Sequence, residues 1–242
     1  MRAHGRLGMG VAVCGWVATM LVLGPSARGA TPGEVTIEGT VTVLDREGKP
    51  KSHNDGVIVF LDDVEHPPAA TPPGPHAVLR QVDKAFVPSV LPIVVGTTVD
   101  FPNNDTVFHN VFSLSKTQPF DLGIYEQGGS RSVTFDQPGL VKVYCNIHPQ
   151  MVGHVVVLPT PYFAVTDAAG HFVIRQAPLG RATVRTWYPA SRSWPEQTVA
   201  VTPQGVHDLQ LRLLENVHLE LREETITLEH KNKWGQAYPA KY

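Results

Sequence analysis

Residues 35–44 alternate apolar and polar side chains, with Val35, Ile37, Gly39, Val41 and Val43 in one register. A period of two predicts a half-buried strand. Asp45-Arg46-Glu47-Gly48-Lys49-Pro50 reads as a turn, and residues 56–61 as a second strand. Residues 139–144 and 152–158 read as two strands joined by a tight loop. Residues 163–174 predict a hairpin around Ala169-Gly170, and Pro178-Leu179-Gly180-Arg181 turns into a strand over 182–187. Alternation returns at Leu209, Leu211 and Leu213, then Val217, Leu219, Leu221, Ile226 and Leu228. It predicts two more strands, or a short helix over 209–215. Residues 229–242 show no periodicity and predict a flexible tail.

Composition agrees with many short strands. The chain has 242 residues, 42% of them hydrophobic and 17% charged, with 21 prolines and 21 glycines. That is globular composition, and so much Pro and Gly disfavours long helices. At the N-terminus, Arg2 and Arg6 precede an apolar run over 7–23, followed by Gly24, Pro25 and the small residues of Ala27-Arg28-Gly29. This order predicts a secretory signal peptide over 1–29, cut before Ala30. The run is 17 residues, short of the roughly 20 that a span needs. An uncleaved anchor and lipidation at Cys14 are weaker alternatives, so no membrane span is expected after cleavage. Removing 1–29 leaves 17 basic residues against 22 acids, a charge of −5. That balance gives no electrostatic basis for nucleic-acid binding.

Cleavage would also remove Cys14, leaving Cys145 as the only cysteine of an exported chain. A lone thiol in an oxidising compartment is a hazard unless something occupies it. Its neighbours suggest what does. Tyr144-Cys145-Asn146-Ile147-His148-Pro149-Gln150-Met151 places a thiolate, an imidazole and a thioether on one inter-strand loop, as C-x2-H-x2-M. Such donors suit copper, and two histidines, a cysteine and a weak axial methionine form the blue-copper set. The second histidine would be His109, 36 residues upstream, in a strand-like segment after the turn Pro102-Asn103-Asn104-Asp105. Zinc is the main inorganic rival, but a thioether is a poor zinc ligand.

These residues resemble the cupredoxins. Gly96-Thr97-Thr98-Val99-Asp100-Phe101-Pro102-Asn103-Asn104-Asp105 is similar to the strand and turn leading to their first histidine, and the C-x2-H-x2-M loop to the short ligand loop of amicyanin. The resemblance implies His109, Cys145 and His148 as equatorial ligands of one copper ion per chain, with Met151 axial. Asn110 would tie the two ligand segments together. The flanks, G-x-V…D-x-x-G-x-P and T-D-x-x-G-x-F…L-x-G, resemble a carboxypeptidase regulatory-like β-sandwich. The joint pattern is similar to bacterial methylamine-utilisation or plastocyanin-like proteins, which implies a periplasmic setting. The implied fold is all-β: a Greek-key cupredoxin sandwich with a second, smaller sandwich split around it. The expected organisation is a first sandwich part at 30–66, a Pro-rich connecting loop at 67–87, a copper module at 88–159, and a second part at 160–228.

The function these features imply is a one-electron carrier cycling Cu(II)/Cu(I). His148 beside Pro149 would be the electron exit and the docking point for a c-type cytochrome or an oxidase. Alternatives are periplasmic copper storage or delivery with the same ligands, or a structural or carbohydrate-binding module using Trp187, Tyr188 and Trp194. Catalysis is not expected, because protein donors fill all four metal positions. His154 is expected to be an ordinary strand side chain, and His66 and His76 to lie in a solvated loop. His53, His171, His207, His218 and His230 show no ligand-like spacing.

Overall fold

The computed structural model describes residues 35–66, 74–191 and 195–215. The expected signal peptide, the end of the 206–228 alternation, the tail and Trp194 lie outside them. Seventeen strands and no helix occur among the described residues. In chain order they are β1 (Ile37–Leu44), β2 (Ile58–Asp62), β3 (Ala77–Val78), β4 (Arg80–Val82), β5 (Ala85–Val87), β6 (Val90–Val94), β7 (Thr97–Asp100), β8 (His109–Ser113) and β9 (Phe120–Tyr125). They continue as β10 (Ser132–Phe135), β11 (Gly139–Tyr144), β12 (Val152–Leu158), β13 (Phe163–Val165), β14 (His171–Ile174), β15 (Gly180–Trp187), β16 (Glu196–Val201) and β17 (Val206–Leu214). The chain is all-β.

Two sandwiches account for most of them. In the central one, a five-stranded sheet ordered β6-β12-β11-β8-β9 packs against a smaller sheet ordered β10-β7-β3. Val99, Phe101 and Phe135 from one side meet Val111, Val141, Val143, Val155 and Val157 from the other in a common core. The flanking sandwich pairs β14-β1-β17 with β13-β2-β15-β16. Its core joins Ile37, Val41, Phe172 and Leu211 to Val59, Leu61, Val184 and Val201. It is assembled from both ends of the described chain, with the central sandwich inserted between β2 and β13.

The two sandwiches also share a seam. Ile58, Phe60 and Trp187 from β2 and β15 pack against Val156 and Leu158 of β12. Side chains of a strand alternate between its faces. Val59 and Leu61 therefore serve the flanking core while Ile58 and Phe60 serve the seam, and Val155 and Val157 serve the central core while Val156 and Leu158 serve the seam. This is why residues 57–61 and 155–158 are uninterrupted apolar runs: both strands are buried on both faces.

Of the two readings of residues 209–215 the strand is the one found, since Leu209, Leu211 and Leu213 continue β17, parallel to β1. Two expectations need correction. Residues 163–174 do not form a paired hairpin: Asp167 and Gly170 close the turn, but β13 pairs with β2 and β14 with β1, in opposite sheets. The second half of the 67–87 stretch is not a loop. It holds β3, β4 and β5, and Leu79 and Phe86 belong to the central core.

At Gly39 the β1–β17 pairing shifts register and the backbones come close. A Cβ there would stand 2.1 Å from the Leu209 carbonyl oxygen and 2.8 Å from the Leu209 Cβ. The obstacle is backbone and cannot swing aside. Gly39→Ala should therefore cost about 1–3 kcal/mol or more, the range for overpacking, read as a lowered urea midpoint.

Candidate metal centre

The last ladder pair of β11 and β12 is Tyr144 with Val152, leaving residues 145–151 to turn at one end of the central sandwich. The turn is closed by the Met151 N–H donating to the His148 carbonyl at 2.9 Å. Cys145 and Met151 are buried in the central core, His148 is half-buried, and Pro149 is exposed. His109 opens β8, opposite Tyr125 of β9, and has no exposed surface. The fold thus brings a residue 36 positions upstream onto the loop. Its Nδ1 lies 3.7 Å from the Cys145 sulfur and 3.1 Å from the His148 Nδ1, and the two rings meet edge to face. One donor atom from each of the three lies within 4.8 Å of the others.

This donor set fits a soft, nitrogen- and sulfur-seeking metal. Bonds of about 2.0–2.3 Å to nitrogen and sulfur place the donors of a trigonal set about 3.5–4 Å apart. The sulfur-to-Nδ1 separation lies in that range, and the closer nitrogen pair needs a small outward move of His148. Met151 shares the core with Cys145.

What orients His109 is a residue that sequence reasoning passed over as part of a turn. The Nε2–H of His109 donates to the Asp105 Oδ2 at 2.6 Å, which leaves the Nδ1 lone pair facing the cysteine and His148. A carboxylate on the far nitrogen of a ligating histidine sets both its tautomer and its basicity. Asp105 is itself held by the N–H groups of Asp83 at 2.5 Å and Lys84 at 2.8 Å, in the β4–β5 turn. Burial alone would raise the Asp105 carboxyl, but hydrogen bonds from Lys84, His109 and Asp83 outweigh it and hold it below the usual carboxylate range. Burial, with the neighbouring His109 and Lys84, keeps His148 below the ordinary histidine value. A neutral ring is the form that ligates metal.

Other side chains brace this frame. Asn103 accepts from the Asp105 N–H at 2.9 Å and donates to the carbonyls of Val107 and Tyr125. The buried Tyr125 hydroxyl donates to the Phe101 carbonyl and accepts from Gln81 Nε2 at 2.7 Å. Asn110 accepts from the Asn146 N–H at 3.3 Å and donates to Asp121 at 2.7 Å, so it connects β8 to the 145–151 loop and to β9. The sequence signal for Asp105 was an acid four residues before a candidate ligand; Asn103 and Gln81 carried none.

No protein-family model and no curated protein matches the chain. Among solved structures it is similar to cupredoxins. A purple cupredoxin from Nitrosopumilus maritimus is 31% identical, with 34% of this chain and 99% of that one covered and a TM-score of 0.32. A methionine-to-alanine mutant of amicyanin in its Cu(I) form is 25% identical, covering 41% and 98%, with a TM-score of 0.34. A Cu-containing nitrite reductase from Thermus scotoductus is 28% identical, covering 40% of this chain but 25% of its own length, with a TM-score of 0.33.

Among the described residues, no other histidine joins this cluster. His76 pairs with Asp100 at 2.9 Å, His207 with Glu38, and His66 faces the Leu179 carbonyl. No helix among the described residues is long and apolar enough to cross a membrane.

Proposed function

We propose that this chain is an exported one-electron carrier holding one copper ion at His109, Cys145 and His148, with Met151 as the weak fourth ligand. The observation that carries the reading is the convergence of a buried thiol and two imidazoles within 4.8 Å, one ring already turned toward the others by Asp105. Copper, when bound, supplies the Cu(II)/Cu(I) couple. The protein supplies a frame that moves little between the two states. His109 is fixed from behind, Asn110 pins the loop to β8, and the core around Cys145 and Met151 excludes water.

His148 is the member of the set with access to solvent, and exposed Pro149 stands next to it. In this reading they form the electron exit, where a c-type cytochrome or an oxidase docks transiently. Val107 and Phe108, exposed on the segment entering β8, add apolar surface to the chain near His109. The chain carries electrons without turning over a substrate, because its own donors complete the coordination. The flanking sandwich holds the copper module and is the site of the resemblance to the regulatory-like family.

The test is titration of the metal-free protein with Cu(II), followed in the visible range. One equivalent should raise an intense thiolate-to-copper band that ascorbate bleaches and a mild oxidant restores. Copper should leave only slowly to a Cu(I) chelator. Prompt loss would favour storage or delivery, and a colourless protein that takes zinc but ignores Cu(II) would overturn the copper reading.

A further inference from the structure

The seam between the sandwiches contains an ionisable group. His154 lies in β12, opposite Lys142 of β11 and Val90 of β6. Strand alternation puts it on the same face as Val156 and Leu158, the face turned to the flanking sandwich. Its ring centroid is 5.8 Å from that of Trp187, which is 3% exposed and belongs to the seam cluster. An imidazole therefore extends an apolar seam, with an indole from the other sandwich against it.

The surroundings suit the neutral ring and oppose the charged one. β11 contributes the Lys142 ammonium, which repels a second positive charge, and apolar Leu140. β6 contributes apolar side chains and, just before it, the Ser89 carbonyl, which accepts from the backbone N–H of His154 at 2.9 Å and is the weakest of the influences on the ring, favouring its protonated form. β2 contributes Ile58 and Phe60. β15 contributes Trp187 and, two residues back, Arg185, already bound to Asp62 at 3.2 Å and Glu196 at 3.0 Å. A cavity of about 320 Å³ borders the seam, lined by Ile58 and Val90 from its two sides together with Tyr188 and Pro189. Water thus reaches the rim of this contact without unfolding either core.

We propose that His154 is a proton-operated latch between the two sandwiches: protonating its ring releases the β12 face from Trp187 while each sandwich stays folded. Burial first, and Lys142 second, lower its pKa to about 4 from 6.5, so the latch is closed at neutral pH. The sign follows from linkage. A ring freed from the seam takes its proton near 6.5, and a packed ring only near 4. The stabilisation of the closed seam is therefore complete above 6.5, declines as pH falls toward 4, and changes no further below that. Each pH unit within the window weakens closure about tenfold. The inference is independent of copper, because it uses none of the ligand set.

The experiment follows Trp187 in the full, metal-free chain with Trp16, Trp194 and Trp234 replaced by phenylalanine, which leaves one indole. Acrylamide quenching should rise severalfold between neutral pH and about 4, with red-shifted emission and an unchanged far-ultraviolet circular dichroism spectrum. The added His154→Gln substitution should hold quenching flat. Flat quenching in the parent overturns the latch, as does an equal rise in His154→Gln or a loss of circular dichroism over the same range. Should His154→Gln not fold, the imidazole titration by nuclear magnetic resonance in the natural chain decides: a midpoint at or above 6.5 overturns the proposal.

Discussion

Asp105→Ala should weaken Cu(II) binding about 10–100-fold, the usual cost of removing the partner that orients a ligating histidine, and should also lower thermal stability. Three donors converge on this carboxylate: the His109 Nε2–H and the N–H groups of Asp83 and Lys84. His109 has no exposed surface, so water does not readily replace the lost acceptor. Stranding buried donors costs about 1–3 kcal/mol each, and with partial rehydration of the turn the total is about 2–4 kcal/mol. The effect on metal is separate and arises from the tautomer. Without an acceptor behind it, His109 no longer gains from placing its proton on Nε2, and the form protonated on Nδ1 has no lone pair for a metal. Asp105→Asn keeps the side chain's shape but only one acceptor oxygen. That oxygen satisfies either the Asp83 N–H or the pair formed by Lys84 and His109, and the amide NH2 then opposes whichever donors remain. Affinity and stability should therefore both fall, each by less than in Asp105→Ala. Competition between protein and chelator for Cu(II) measures the first effect, and thermal unfolding of the metal-free protein measures the second. Unchanged copper affinity in both variants would show that Asp105 only braces the turn.

The candidate metal loop was conspicuous in the sequence because Cys145, His148 and Met151 fall within seven residues, and the structure brings Cys145 and His148 of that loop together with His109. His109 was legible through the strand and turn that precede it. Asp105 was hidden because its importance comes from a turn formed by Asp83 and Lys84 more than twenty residues earlier, and nothing local reports that contact. The turn itself was masked for a related reason. Its strand β4 carries Gln81 inward, fully buried, where alternation would lead one to expect an apolar side chain. Gln81 is tolerated there because its amide donates to the Tyr125 hydroxyl and the Phe101 carbonyl. With that interruption beside a Pro-rich stretch, 67–87 read as loop.

Partner choice was the other thing the pattern withheld. A period of two reveals which face of a strand is buried but not which strand lies beside it. Ala169-Gly170 marks a real turn, yet β13 and β14 leave it for opposite sheets. The seam left a trace that could have been used: two uninterrupted apolar runs, 57–61 and 155–158, in a chain whose other strands mostly alternate. Strands buried on both faces require a third layer, and in this protein that layer is the other sandwich.

Cys145→Ser should abolish the thiolate-to-copper band entirely and lower Cu(II) affinity by more than the Asp105 variants do. The intensity of such a band comes from sulfur orbitals, which a hydroxyl does not provide, and serine is also a hard, protonated donor at neutral pH. The fold should tolerate the change moderately well, because sulfur and oxygen differ little in size. The position is buried, however, with His109 Nδ1 as a polar neighbour at 3.7 Å. A hydroxyl there can donate to that lone pair, so the variant's stability should stay within about 1–2 kcal/mol of the parent. The two results together discriminate between roles for the cysteine. Loss of colour with a retained unfolding midpoint assigns Cys145 to metal ligation, the outcome the geometry at His109 and His148 predicts. Retained colour would place the chromophore elsewhere, and loss of fold with loss of colour would make Cys145 a packing residue of the central core.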